Sequence, residues 1–76
     1  MPRFYFHICD AEGMSHDEEG SDLPDIDAAR REAKASARDL ITEYMKNRKP
    51  INGQTLQIAD ADGNVLEIMD LRDVLN

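Results

Sequence analysis

His7, Cys9 and His16 are the residues of this sequence whose types best suit a metal ion. His7 and Cys9 stand two apart in an alternating stretch, so on a strand their side chains leave the same face. A hairpin that set residue 16 opposite residue 9 would bring in a second imidazole. Two imidazoles and a thiolate are zinc ligands, and a carboxylate nearby would complete a tetrahedron. The spacing matches no zinc module, and strand histidines and lone cysteines more often pack or face water. Cys9 as a nucleophile would need a base and an oxyanion site. His7 or His16 could be the base, but no glycine-rich turn or helix N-terminus is placed to supply the other. The acidic run Asp17-Glu18-Glu19 offers paired carboxylates, whose commoner role is solvation or capping. Asp60-Ala61-Asp62-Gly63-Asn64 puts oxygens at positions 1, 3 and 5 of a calcium loop. Positions 6 and 12, which need glycine and a bidentate glutamate, are Val65 and Leu71, so the segment reads as a turn.

Charge offers a second kind of chemistry. On a helical wheel Arg31, Lys34, Arg38 and Lys49 fall on one flank of a long amphipathic segment, and Glu32, Asp39 and Glu43 fall on the other. A solvated helix more commonly mixes signs at i,i+4. The plain explanation is a basic flank neutralised by the chain's own acidic segment, residues 17–27. The functional one is an electrostatically complementary contact with a second copy or another partner. Arg31, Lys34 and Arg38 could also hold an anion. The chain as a whole carries a net charge of −7, distributed as −7 over residues 1–29, +4 over 30–49 and −4 over 50–76. Long-range repulsion of phosphate therefore argues against general nucleic-acid binding.

The elements that must position these residues are few. Seventy-six residues, 41% of them apolar and with only Phe4, Tyr5, Phe6 and Tyr44 aromatic, make one small domain with a thin core. No apolar run approaches the length of a membrane span, and the N-terminus lacks the charged, apolar and small-residue order of a signal peptide. The single cysteine cannot form an internal disulfide, so the cytoplasm is the expected compartment.

Arg3 to Cys9 alternates as a strand with Phe4, Phe6 and Ile8 on one face and Arg3, Tyr5, His7 and Cys9 on the other. Asp10-Ala11-Glu12-Gly13 is turn chemistry, and Met14 to Glu18 reads as a short polar edge strand whose register is open. Asp25 is a plausible N-cap for a helix of about 22 residues ending before Pro50. Ile26, Ala29, Ala33, Ala37, Leu40, Ile41 and Tyr44 form its apolar stripe. A three-residue loop, Ala61-Asp62-Gly63, predicts a hairpin pairing Ile58 with Leu66, Leu56 with Ile68, Gln57 with Glu67, Ala59 with Val65 and Thr55 with Met69. Asp70 can cap a last turn through Leu75. The expected architecture is α+β, β-β-α-β-β, a four-stranded antiparallel sheet in order 2-1-3-4 with one long helix on one face. The other face would show Tyr5, Val65 and Met69 among half-apolar neighbours.

The opening Met-Pro-Arg-Phe-Tyr-Phe-His, then Asp17-Glu18-Glu19-Gly20, then Leu23-Pro24-Asp25 leading into an Ala/Arg-rich helix, resembles a family of very short bacterial proteins. The Asp62-Gly63 hairpin fits as well, so the resemblance spans most of the chain. It implies a domain of unknown function with no assigned activity or cofactor. Cys9 departs from the family pattern, where an arginine or other polar residue is usual, and this weakens any ligand or nucleophile role for it. A shallow domain of this size offers little volume for a closed, dry active site, which argues against an enzyme. The expectation is therefore a non-enzymatic protein working by protein–protein contact, as a homodimer, through Tyr5, Val65 and Met69 or through Arg31, Lys34 and Arg38. Anion binding by the basic flank and metal binding by His7, Cys9 and His16 stand as alternatives.

Overall fold

The computed structural model describes residues 1–75. The chain runs through β1 (Arg3–Asp10), β2 (Gly13–Ser15), β3 (Ser21–Asp22), α1 (Ile26–Lys46), β4 (Thr55–Ala59), β5 (Val65–Asp70) and a single-turn α2 (Leu71–Val74). The strands form an open antiparallel sheet in the path β2-β1-β4-β5, and β3 also pairs with β1. The sheet thus has five strands rather than the expected four. The extra strand arises because the predicted segment Met14–Glu18 does not continue along β1. Pairing covers Gly13–Ser15 against Asp10–Ile8, breaks at residue 16 and resumes as Ser21 and Asp22 against Phe4 and Arg3.

Helix α1 starts where capping chemistry predicts. The Asp25 carboxylate accepts the Ala28 amide at 2.8 Å, and Asp27 lies in the first turn where the dipole favours an anion. Ala29, Ala33 and Ala37 are fully buried in the helix stripe, so the helix lies close to the sheet. Phe4, Leu56 and Ile58 fill the space opposite, and Ile41 and Leu71 close one end. At the C-terminus the Lys49 amide reaches the Tyr44 carbonyl at 2.8 Å and the Arg48 amide reaches Met45 at 3.2 Å. This is a Schellman motif, and Arg48 holds its left-handed position at φ 57°, where glycine is usual.

The second hairpin corrects one expectation. The loop is the predicted one: Gly63 is left-handed at φ 87°, and Asp60 and Asn64 close it through a backbone bond of 2.9 Å. Ala59 faces Val65, but a bulge follows and Ile58 then faces Glu67, Gln57 faces Ile68, and Leu56 faces Met69. One extra residue exchanges the faces of everything beyond it. Glu67 and Met69 turn towards the helix, and Ile68 turns away. The reason lies above β5, where α1 presents its basic side rather than its alanine stripe. Glu67 accepts from the Arg30 guanidinium there at 2.9 Å, while Met69 packs on the edge of the core.

Candidate functional site

Three local motifs of the same form, Asp-x-x-Gly, shape the surface around β1 and the far hairpin. In each the aspartate carboxylate accepts amides further along its own turn. Asp10 takes those of Glu12 and Gly13 at 2.8 and 3.0 Å, Asp17 those of Glu19 and Gly20 at 3.3 and 3.1 Å, and Asp60 those of Asp62 and Asn64 at 2.9 Å. The glycine has positive φ each time. At Asp60 the amide of Asn64 chiefly holds the carboxyl below its ordinary pKa. Those lone pairs are thus spent on the turn.

Asp17 does more than turn the chain. Its second oxygen accepts the Phe6 amide of β1 at 3.1 Å, so a side chain takes the place of a ladder partner where the edge strand breaks. The Asp17 amide in turn donates to His7 Nδ1 at 3.0 Å. Burial pushes the Asp17 carboxyl up, but the amides of Gly20, Phe6 and Glu19 outweigh it, the nearby His7 ring adds to them, and the net shift is downward. Arg3 completes the excursion. It donates to the Glu19 carbonyl at 2.9 Å and forms a forked pair with Asp22 at 2.9 and 3.1 Å. Gly20 fits under these groups at φ 71°: a Cβ there would lie 2.8 Å from Tyr5 Cε2 and 3.0 Å from the Phe4 carbonyl oxygen.

His7 and His16 do come together, ring centroids 5.0 Å apart and edge to face, and Tyr5 stacks with His7 at 6.3 Å. The expected third ligand does not join them. The expected pairing of residue 16 with residue 9 is not made: the register sets Cys9 opposite Met14, and the ladder ends at Ser15, before His16. His7 Nδ1 is already an acceptor for Asp17. Among the described residues no three histidine, cysteine, aspartate or glutamate side chains are grouped to share a metal. Sequence reasoning treated Asp17 as a surface acid. The signal that could have found its role was the spacing shared by Asp10–Gly13, Asp17–Gly20 and Asp60–Gly63.

The sheet face away from α1 carries Tyr5, His7 and Cys9 from β1, Met14 from β2, Thr55, Gln57 and Ala59 from β4, and Val65 and Ile68 from β5. Tyr5 and Val65 lie on it as expected, whereas Met69 does not, and Ile68 occupies the place assigned to it. Ile68 is 60% exposed, Val65 49% and Met14 42%. Between the Arg3–Asp22 pair at one corner and Asp70 at the other, this face has no charged side chain among the described residues. In a chain that is 33% charged, that depletion is local and pronounced. The acidic excursion 17–19 borders it.

The helix flanks face different edges of the sheet. Arg30 reaches Asp27 as well as Glu67, so the basic side overlooks β5. Arg31, Lys34 and Arg38 are exposed there, and none makes an ion pair among the described residues. The expected neutralisation of that flank by residues 17–27 is not made through ion pairs among the described residues, where Asp27 pairs with Arg30 instead. The acidic flank overlooks the broken edge of β1, and between them runs an open groove of about 440 Å³. Phe6, Ile8, Leu40 and Leu56 contribute its apolar surface. Glu32, Asp39 and Glu43 line the helix side and Asp17 the strand side.

Among the described residues no helix is long and apolar enough to cross a membrane. Neither a curated protein nor a solved structure matches the chain. A family model described as a domain of unknown function, DUF6894, matches residues 3–72, and the chain belongs to that family.

Proposed function

We propose that the protein is a non-enzymatic cytoplasmic module that works by self-association, two copies stacking through the sheet faces that α1 leaves uncovered. The observation that carries this reading is the uncharged face around Tyr5, Met14, Val65 and Ile68. Depletion of charge in a half-apolar patch, with charge kept to its border, is the composition of an interface centre. A second copy fits this face because a chain of net charge −7 repels itself least where its surface is uncharged. Four strands about 4.8 Å apart and some six residues long give a face of roughly 19 by 20 Å. That is about 400 Å² per copy and roughly 800 Å² in all, below the roughly 1,200 Å² at which stable interfaces begin, so a weak, transient dimer in the micromolar range at best is expected.

Sedimentation equilibrium on Tyr5→Glu and Ile68→Glu, each placing a carboxylate in the face, should return monomers where the parent chain is dimeric. Met45→Glu, on the exposed side of α1, serves as the control and should leave the dimer unchanged. Unaltered association of both face variants would refute the interface. The free cations Arg31, Lys34 and Arg38 favour a second reading, an anion or nucleic-acid contact over β5. It requires a mobility shift of labelled RNA or DNA that weakens steeply with salt and is lost in Arg38→Glu, and no shift at low salt would remove it.

A further inference from the structure

The groove beside α1 has a composition that the self-association reading does not use. Its floor is hydrocarbon from two strands and the helix, its walls carry four carboxylates with Ser21 and Ser36 between them, and among the described residues no lysine or arginine lines it. A ligand that satisfied only the walls would be a small cation, and one that satisfied only the floor would be neutral and apolar. Both together call for an aliphatic chain bearing several positive charges.

We propose that this groove binds linear aliphatic polyamines, whose methylenes lie along Phe6, Ile8 and Leu40 and whose ammonium groups meet Glu32, Asp39 and Glu43. The spacing of the carboxylates fits. At 1.5 Å per residue, Asp39 and Glu43 are about 6 Å apart along the helix, and Glu32 and Asp39 about 10 Å. Two ammonium groups separated by four methylenes are joined by five single bonds of about 1.5 Å in a zigzag, which also spans about 6 Å. Adding a second, three-carbon segment carries the end-to-end distance to about 11 Å by the same geometry.

The carboxylates are available for this. Neither Glu32 nor Asp39 has an ion pair among the described residues. Glu43 has only a contact of 3.9 Å to exposed Lys46. Across the groove Asp17 is a fixed anion, held in place by the Phe6, Glu19 and Gly20 amides. The volume, about 440 Å³, is within the range of small-molecule clefts. A peptide or a second copy offering lysine side chains would meet the same walls, but with a backbone to accommodate as well. A free polyamine brings only the charges and the methylenes.

Isothermal titration of the full chain with spermidine at 150 mM salt tests the proposal. Saturable one-to-one binding is expected. Amide resonances of Ile8, Ser36 and Leu40 should shift on titration. Among diamines of equal charge, affinity should depend on methylene number and favour four over two. Asp39→Asn should weaken spermidine about three- to fivefold, the loss typical of one exposed charge pair, whereas Asp73→Asn on α2 should leave it within a factor of about 1.5. Any of three results would overturn the proposal: magnesium competing as well as a diamine, equal losses from Asp39→Asn and Asp73→Asn, or no dependence on methylene number. Each would reduce the effect to diffuse attraction by an acidic protein. A polyamine-independent dimer abolished by Asp39→Asn would also overturn it, assigning the groove to a second copy instead.

Discussion

Replacing Asp17 by alanine should unfasten the edge of the sheet, and the size of the loss follows from its hydrogen bonds. The carboxylate accepts three amides, those of Phe6 and Gly20 at 3.1 Å and of Glu19 at 3.3 Å. Of these the Phe6 amide is part-buried in a central strand, and its removal from both carboxylate and water costs about 1–3 kcal/mol. The exposed Glu19 amide can turn to water and adds a few tenths of a kcal/mol, while the part-buried Gly20 amide adds about 1 kcal/mol. The expected loss is about 2–4 kcal/mol, a large part of the roughly 4–11 kcal/mol available to a domain of this length. Asp17→Asn retains one acceptor oxygen and should fall between the two.

Urea unfolding followed by circular dichroism measures the loss directly, and its pH dependence identifies the cause. The folded-state pKa of Asp17 is depressed, so its contribution is complete above the unfolded value near 4. It is lost as pH falls through the folded one. The gap between parent and Asp17→Ala should therefore hold from pH 7 to about 4.5 and shrink below about 4. A cost under about 0.5 kcal/mol at pH 7, the range of ordinary surface changes, would refute the reasoning, as would a gap that does not change down to pH 3.

Gly20→Ala should cost at least 1 kcal/mol more than Gly63→Ala in the same unfolding assay. Both positions carry the left-handed strain of about 1–2 kcal/mol, but only at Gly20 would the new Cβ meet Tyr5 and the Phe4 carbonyl, while Gly63 has open space. Equal costs would mean that the excursion yields without resistance. Arg48→Gly should stabilise by about 0.5–1 kcal/mol, since it removes the left-handed strain at φ 57° and returns part of the gain as unfolded-chain entropy. A destabilised variant would show that the Arg48 side chain contributes something its backbone position does not reveal.

Much of the fold was legible because local chemistry and burial agree. Asp25 before an alanine stripe announces both the start of α1 and the closeness of its packing, and Asp62-Gly63 fixes the far loop. What escaped the sequence was decided by contacts across elements. The bulge after Val65 has no local signature, because alternation alone would bury Leu66 and Ile68. It forms where β5 lies under Arg30, and a carboxylate at Glu67 is worth more there than another aliphatic side chain. The face that Met69 was expected to share with Tyr5 and Val65 is consequently completed by Ile68. The break in the edge strand was hidden differently. Asp17 looks like one of three surface acids until the fold places it beside the Phe6 amide, and His7 looks like a ligand until its Nδ1 meets the Asp17 amide. His16 reaches His7, but not through the expected pairing of residue 16 with residue 9, because the register sets Cys9 opposite Met14.

The claim that two copies meet through the uncharged sheet face is tested most directly by native mass spectrometry of the untagged chain at tens of micromolar, beside Ile68→Glu. Self-association through this face predicts a species at twice the 8.6 kDa chain mass for the parent and the single-chain mass for the variant. A parent chain that is monomeric throughout that range, or an Ile68→Glu chain that dimerises as the parent does, would contradict it.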